Sequence, residues 1–407
     1  MSDKKRLFSI FLIVFIDLLG FSIILPLLPF YAESYGANAT LVGFLVAIYA
    51  AGQMFSAPFL GRLSDRYGRR PFLIISIFGN AISFLLLGLA TNLTMIFIAR
   101  LVAGMTAGNI SVAQAYITDI TDEKNRSRGL GLIGAAFGIG YIFGPALGGI
   151  LSQWGYDVPS FVSAGIATFN LLVVILWLPE SLTEERKAEI AMQEKKPVSL
   201  RALLETLKRP VTGTLLTTRL FYGFAFAIFQ AVFALYGLYR FELNAQNTGF
   251  ILTYVGIVLV ITQGFLVGRI NDRFSDGKVI FVSLAALALS LIVWAFAPNL
   301  LIAVLINTPI AMAVGLLNTI INSALTKAVT RSEYGGILGL SASLESASRV
   351  IAPTIGGLLL DKMGTSAPGF FGGIILFLVT AYFFRFFKQS AEMQKPISSN
   401  PVPEGME

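Results

Sequence analysis

The chain contains no cysteine and no histidine among its 407 residues, and only 13% of its residues are charged. Without cysteine there is no disulfide framework, no thiol nucleophile and no thiolate metal site. Histidine is the commonest metal ligand and the side chain that titrates near neutral pH, and it is missing too. We therefore expect no metal site and no cofactor. Any proton handling must fall to carboxyl groups.

The composition points to a membrane protein. Hydrophobic residues make up 55% of the sequence and its mean hydropathy is +0.75, whereas about a quarter of the residues of a soluble domain are charged. A polytopic protein of the cell membrane, surrounded by lipid, is expected. The formal charge of +7 does not indicate nucleic-acid binding, because the basic residues lie in short loops and form no continuous patch.

About twelve apolar runs are each long enough to cross the ~30 Å hydrocarbon core as a helix, so the sequence predicts an all-α membrane protein. Lysine and arginine concentrate in alternate connections between these runs, and the other connections hold only Arg240 and Lys362. Because basic loops are retained on the cytoplasmic side, both termini are predicted to be cytoplasmic.

The two halves of the chain repeat one another. The stretch beginning Gly61-Arg-Leu-Ser-Asp-Arg recurs from Gly268, and Pro145-Ala-Leu-Gly-Gly recurs from Pro353, at nearly the same offset. The repeat predicts two six-helix bundles related by pseudo-two-fold symmetry, residues 1–178 and 211–389. Residues 179–210 are predicted to form a cytoplasmic linker, and residues 390–407 a disordered cytoplasmic tail. We expect the protein to function as a monomer.

Residues 61–70 form a charged turn, with five charges between two apolar runs. Glycines permit a tight turn there, and the aspartate can accept hydrogen bonds from arginine. We expect Asp65 and Arg69 to bind across to the side of the fifth to eighth runs and Asp119 to pair with Arg66 or Arg70, and these contacts would hold the cytoplasmic face closed. The alternative is that the arginines only anchor topology. The predicted cytoplasmic gate comprises Gly61, Asp65, Arg66, Gly68, Arg69, Arg70, Asp119 and, in the weaker second copy, Asp272 and Arg273.

The fifth run is rich in glycine at intervals of four residues, which places Gly140, Gly144 and Gly148 on one helix face and allows another backbone to approach closely. Pro145, followed by Gly148 and Gly149, should bend the helix. Two interpretations remain open. The glycines provide ordinary close packing, or the bend seals the interface between the halves against proton leak.

Five ionisable side chains lie deep within the apolar runs: Asp17, Arg100, Arg219, Glu345 and Arg349. A charge in the bilayer costs ~3 kcal/mol on insertion scales, so they should face a cavity. Glu345 and Arg349 lie one helical turn apart, which suits either a structural salt bridge or a role in coupling. Asp17 has no partner within its own run, and dry surroundings favour the protonated form of a carboxyl group. It is the predicted proton carrier.

Polar and aromatic side chains at helical spacing predict a cavity for a bulky amphipathic guest. The polar face that starts at Arg100 lines water or packs tightly, and phenylalanine is also common on faces that contact lipid. The predicted cavity residues are Asp17, Gln53, Arg100, Ser111, Gln114, Arg219, Tyr222, Phe226, Gln230, Asn318 and Asn322.

Several of these motifs resemble those of a known protein family. Residues 61–70 resemble the signature loop of the major facilitator superfamily, and Arg100-Leu-Val-Ala-Gly104 and Gly140-x-x-x-Gly144-Pro145 resemble motifs of its drug/proton antiporter branch. Asp17-x-x-Gly20 is similar to tetracycline efflux proteins of that branch, although Ser83 stands where those exporters carry a carboxylate. The resemblance implies the major facilitator fold and a secondary active transporter that works by alternating access.

The leading functional hypothesis is a proton-coupled exporter of amphipathic drugs or related small molecules. A proton symporter that imports a sugar or organic acid is the alternative, and it predicts more polar side chains within the helices and a fifth helix with less glycine. A receptor or membrane enzyme would need an added soluble domain or a catalytic constellation, and the sequence contains neither. We therefore expect a transporter and not an enzyme.

Overall fold

The computed structural model describes residues 3–122, 125–182, 206, 208–330 and 333–393, and this part of the chain contains helices and no strand. Most of the predicted linker at residues 179–210 and of the predicted tail at residues 390–407 lies outside the described residues.

Twelve long helices cross the molecule, and eleven of them are long and apolar enough to span a membrane. The remaining helix, α11, carries Glu345 and Arg349. The prediction of about twelve membrane helices is confirmed. Their bounds are α1 (Lys5–Ser34), α2 (Ala39–Tyr67), α3 (Arg69–Gly88), α4 (Leu93–Ile120), α5 (Arg128–Trp154), α6 (Asp157–Trp177), α7 (Pro210–Phe241), α8 (Ala245–Asn271), α9 (Asp276–Ala295), α10 (Leu300–Lys327), α11 (Tyr334–Met363) and α12 (Ala367–Phe386).

Several helices are interrupted along their length. In α1 a turn at residues 25–27 contains Pro26, which has no amide hydrogen to donate. In α4 the helix stops at Thr106 and restarts at Asn109. Residues Thr262–Leu266 of α8 form a π-helix, a distortion that often marks functional sites. Each break interrupts the regular α-helical backbone between the two ends of its helix.

Four helices begin at the same end of the molecule with the same device. An asparagine side chain accepts a hydrogen bond from the amide three residues later and so caps the first turn. The pairs are Asn38 with Leu41, Asn92 with Met95, Asn244 with Asn247 and Asn299 with Ile302. Asn38 and Asn244 occupy equivalent positions in the two halves, as do Asn92 and Asn299, so the repeat extends to the helix caps.

Helices α1–α6 pack into one bundle and α7–α12 into another, and the main contacts between them join α2 to α11 and α5 to α8. Each contact therefore pairs a helix of one half with a helix of the other, in a pattern that the internal repeat maps onto itself. We call the end that carries the turn at residues 61–70 the basic end and the other the opposite end.

The two halves close tightly at the opposite end. Gly43 lies against the carbonyl group of Pro353 in α11, and the equivalent Gly249 lies against that of Pro145 in α5. Neither position has room for a Cβ atom, because the neighbouring atoms belong to rigid backbone. The repeated motifs thus make the same contact twice.

A second pair of symmetric contacts completes this closure. Gly149 packs on the backbone of Gln246, and Gly357 packs on that of Ala39 and Thr40. Asp361 then accepts hydrogen bonds from the Ala39 and Thr40 amides at 3.0 and 2.8 Å, at the start of α2. A carboxylate at a helix N-terminus is electrostatically favourable, so Asp361 ties the two halves together. We call this set of contacts the seal.

Toward the basic end the halves separate. At seven glycines on the basic-end parts of α5, α8 and α11, no described atom beyond the glycine's immediate neighbours and the adjacent backbone of its own helix lies within 4 Å of the position that a Cβ would take. These glycines are Gly131, Gly134, Gly264, Gly268, Gly335, Gly336 and Gly339. The space between the halves is therefore open at the basic end and closed at the opposite end.

Candidate functional site

Asp17 lies in the middle of α1 and only 6% of its surface is exposed. Its carboxylate oxygens accept hydrogen bonds from the side-chain amides of Asn80 in α3, at 3.0 Å, and of Asn109 in α4. Both partners are neutral, and the structure records no ion pair for Asp17 among the described residues. Sequence reasoning singled out Asp17 but missed both asparagines. Their signal was the rarity of asparagine within apolar helices.

The C-terminal half holds a charged cluster at the centre of its bundle. Glu345 in α11 binds Arg219 of α7 through one carboxylate oxygen and Arg349, at 2.6 Å, through the other. Arg219 also donates to the side-chain oxygen of Asn318 in α10 at 2.6 Å, and Tyr222 donates to the same oxygen at 3.3 Å. Two guanidinium groups thus compensate the one carboxylate.

Arg100 in α4 is buried, with 5% of its surface exposed, and its guanidinium lies 4.4 Å from the centre of the Tyr49 ring in α2. A cation over an aromatic face is favourable. Gln53 donates to the Tyr49 hydroxyl at 3.5 Å. The structure therefore groups two predicted positions, Gln53 on α2 and Arg100 on α4, around one tyrosine.

The polar face that continues from Arg100 is used mainly for packing against α2. Gly104 contacts the backbone of Tyr49, and Gly108 contacts the side chain of Leu60. Ser111 donates to the carbonyl oxygen of Gly108 at 2.8 Å. Gln114 is exposed. This face was expected either to line water or to pack tightly, and its glycines pack tightly.

The aromatic side chains that recur at helical spacing along α7 lie partly inside the C-terminal bundle. Tyr222 and Phe229 are buried, and Phe229 packs edge-on against Trp294 of α9 with ring centres 4.8 Å apart. Phe226 is half-buried and stacks on Tyr222. Gln230 on α7 is exposed and Asn322 on α10 is half-buried. Helical spacing alone did not show that part of this face meets another helix.

Arg69 organises the charged turn between α2 and α3. Its guanidinium binds Asp65 at 2.6 Å and Asp119, at the end of α4, at 2.9 Å. Glu180 accepts hydrogen bonds from the Arg69 and Arg70 backbone amides at 2.8 and 3.1 Å. Between α2 and α3, Gly68 adopts φ 109°, a conformation that favours glycine.

One predicted pairing of this turn is wrong. Asp119 pairs with Arg69, not with Arg66 or Arg70, because α3 begins at Arg69 and turns that side chain back toward α2 and α4. Arg70 donates instead to the Ile175 carbonyl of α6 at 2.5 Å, and Arg66 lies over the Tyr67 ring. Arg69 binds Asp65 and Asp119, both of the N-terminal half. The predicted binding of Asp65 and Arg69 across to the side of the fifth to eighth runs belongs to a state closed at the basic end and stays a prediction.

The second copy of the turn is built differently. Asp272 and Arg273 close the end of α8 through backbone hydrogen bonds to Gly268 and Ile270. The ion pair in this region joins Asp276 to Lys327 of α10 at 2.9 Å. The gate roles of Gly61, Asp272 and Arg273 stay predictions.

Substituting Asp65→Asn is expected to leave membrane insertion and abundance close to the wild type while slowing transport. The change removes the charge that faces Arg69, and it shifts the balance of conformations if the contacts of Asp65 differ between states. Initial transport rates per molecule of folded protein would measure the effect. Full transport by a well-expressed variant would show that the turn serves topology alone.

The glycine-rich face of α5 serves both halves. Gly140, Gly144 and Gly148 pack against α1, where Ser22 and Ile23 approach too closely for a Cβ at Gly144 or Gly148. Gly149, on another side of the helix, contacts α8 across the interface. Close packing therefore operates within the N-terminal bundle and also at the seal.

Two six-helix bundles that enclose a central space with buried charges, open at one end only, define the architecture of a secondary transporter. The chain belongs to the major facilitator superfamily, whose family model matches residues 10–306 and 221–404. It is a transporter of that family, and the family and its structural neighbours are transport proteins. No group of three or more acidic side chains that could hold a metal ion occurs in the described residues.

The chain is similar to known resistance proteins along most of its length. It is 27% identical to multidrug resistance protein 2 of Bacillus subtilis (strain 168), over 92% of this chain and 94% of that protein. It is 30% identical to the class C tetracycline resistance protein of Escherichia coli, over 87% and 89% of the two chains. The crystal structure of a D-xylose-proton symporter shares the fold, with a TM-score of 0.74 over 93% of this chain and 97% of that one, at 17% identity.

Proposed function

We propose that the protein is a proton-coupled exporter of amphipathic small molecules that works by alternating access, with Asp17 as the proton carrier. The observation that carries the proposal is the contrast between the two deep carboxylates. Two guanidinium groups bind Glu345, whereas only neutral amides bind Asp17. An ionised carboxylate that is buried without a cation is energetically costly. Binding a proton neutralises the negative charge of Asp17, and releasing the proton restores that charge.

In this proposal the basic end faces the cytoplasm. The open space between the halves would then admit a small molecule from the cytoplasm or the inner leaflet, and the seal would block its exit. Rocking the halves about the central charges would open the seal and close the basic end, where Asp65 and Arg69 lie. The similarity to multidrug and tetracycline resistance proteins supports export.

A symporter that imports a sugar or organic acid is the second candidate. This candidate is supported by the amide side chains of α10, where Asn318 lies beside the charged cluster and Asn322 is half-buried. Amide side chains can donate hydrogen bonds to hydroxyl groups and accept hydrogen bonds from them. The two candidates differ in the sign of coupling. Antiport moves protons and substrate in opposite directions, and symport moves them together.

Purified protein in sealed liposomes that contain a pH-sensitive dye would test the proposal. Each compound of a panel of labelled amphipathic drugs, sugars and organic acids is added, and its uptake and the luminal pH are followed in the same vesicles. Proton-coupled export predicts that an amphipathic compound and protons move in opposite directions across the membrane, and that neither flux occurs in liposomes without the protein. Parallel fluxes would establish symport, and transport of a compound without proton movement would contradict coupling.

Topology gives a separate expected result. Because the chain has no cysteine, one introduced cysteine is a unique reporter. Lys195→Cys in the predicted linker should react with a membrane-impermeant maleimide only after the cytoplasmic side is exposed, since basic loops stay inside. Glu242→Cys, between α7 and α8, should react in intact cells. The reverse pattern would invert the proposed orientation.

A further inference from the structure

The cavity carries more positive than negative charge at its centre. Three arginines, Arg100, Arg219 and Arg349, face two acids, Asp17 and Glu345, among the ionisable residues deep in the helices. A guest that enters this space meets a net positive field, which the low-dielectric walls of a cleft focus. Charge balance therefore favours an anion.

Neither acid is available to a cationic guest. Each oxygen of Glu345 already binds a guanidinium group, and each oxygen of Asp17 accepts a hydrogen bond from an asparagine amide. A cationic guest would have to reach Asp17, of which only 6% of the surface is exposed, or approach Glu345 against the repulsion of the two guanidinium groups already bound to it. The acids are therefore poor partners for an ammonium group.

The arginines, in contrast, have donors to spare. A guanidinium group carries five N–H donors, and the structure records one hydrogen bond from Arg349, to Glu345, while 57% of its side chain is exposed. The buried Nε of Arg100 has no hydrogen-bond partner, and the structure records no ion pair for this residue among those described. A buried guanidinium group without an anion is an incomplete site.

Arg100 and Arg349 approach one place from opposite halves. Arg100 lies over the Tyr49 ring, and Arg349 is close enough to the phenol groups of Tyr49 and Tyr141 for electrostatic coupling. Phe21 packs on Tyr49 with ring centres 5.5 Å apart. Two guanidinium groups and a cluster of aromatic rings together suit a molecule with an acidic group and a flat apolar body.

We propose that this cavity binds amphipathic organic anions, with the acidic group held between Arg349 and Arg100 and the apolar body against Tyr49, Tyr141 and Phe21. The inference rests on the proposed function in that the cavity is taken as the transport site, and it specifies the charge of the guest. An anion there would bridge the two halves, since α4 belongs to one and α11 to the other.

The test compares matched molecules that differ only in charge. Naphthalene, biphenyl and indole compounds, each as carboxylate, neutral amide and ammonium, are added to the purified full-length protein, and binding is measured by the concentration that raises its melting temperature. We expect a carboxylate to bind roughly tenfold or more tightly than its matched ammonium, about the value of one charge-assisted hydrogen bond. Tighter binding by the ammonium compounds, or no stabilisation by any carboxylate, would overturn the proposal.

Substitution then locates the site. Arg349→Gln is expected to weaken carboxylate binding roughly tenfold and to remove the preference over the ammonium, because one guanidinium is lost while Arg219 still compensates Glu345. Arg240→Gln, an arginine at the opposite end that binds the Ala297 carbonyl, is the matched control and should bind as the wild type does. Unchanged carboxylate binding by a folded Arg349→Gln protein would overturn the site.

Flux measurements keep this inference distinct from the proposed function. A carboxylate that binds through Arg349 and crosses liposomes without moving protons supports the anion site and contradicts proton coupling. An ammonium compound that exchanges with protons, at a rate that Arg349→Gln does not change, supports coupling and overturns the anion site.

Discussion

The Asp17→Asn substitution is expected to abolish uphill transport driven by a pH gradient. The amide cannot bind or release a proton, yet it has nearly the shape of the carboxylic acid and can remain between Asn80 and Asn109. The protein should therefore fold, bind its substrate and transport it down the substrate's concentration gradient. A pH gradient should no longer drive accumulation of the substrate. Reconstituted vesicles with an imposed gradient would show accumulation by the wild type and none above empty vesicles by the variant.

Three further variants sharpen this result. Asp17→Glu keeps a titratable group and should retain part of the uphill transport. Asp157→Asn makes the same chemical change at the opposite end, in the first turn of α6, and should transport as the wild type does. Glu345→Gln tests the rival carboxylate. If it destroys pH-driven transport while Asp17→Asn transports normally, the proton site lies in α11.

Large side chains at the seal should have the other major effect. Gly43→Leu and Gly249→Leu each place a side chain where the backbone of Pro353 or Pro145 lies. Overpacking costs about 1–3 kcal/mol or more, which lowers the population of the sealed conformation roughly tenfold to hundredfold. Because transport needs both conformations, turnover should fall by a similar factor for either variant, as the symmetry of the two contacts requires.

The control for the seal is Gly165→Leu. Gly165 lies in α6, and no other helix among the described residues comes within 4 Å of its Cβ position, so this change should leave transport unaltered. Gln246→Cys reports on the seal directly, since Gln246 lies against Gly149. Its labelling by an impermeant maleimide should rise when Gly43→Leu is added and not when Gly165→Leu is added. Equal labelling in all three proteins would show that the seal tolerates the larger side chain.

The site was only partly visible in the sequence. Charged residues within apolar runs are rare enough to stand out, so Asp17, Arg100, Arg219, Glu345 and Arg349 could be named in advance. The Glu345–Arg349 pair could also be predicted because it lies within one helical turn. The partners of Asp17 could not, because Asn80 and Asn109 are 63 and 92 residues away in sequence. The pairing of Asp119 with Arg69 depended in the same way on where α3 begins.

The amino-acid sequence by itself determined the class of the protein. Runs of about twenty apolar residues must form helices in a bilayer, since the backbone can satisfy its hydrogen bonds there in no other local way. The internal repeat indicated that the helices form two similar bundles. Only the tertiary structure decided which end is open. The glycines at positions 43, 149, 249 and 357 read alike in either conformation, and whether they meet another backbone depends on the relative tilt of two rigid halves. Local sequence carries no signal for that tilt.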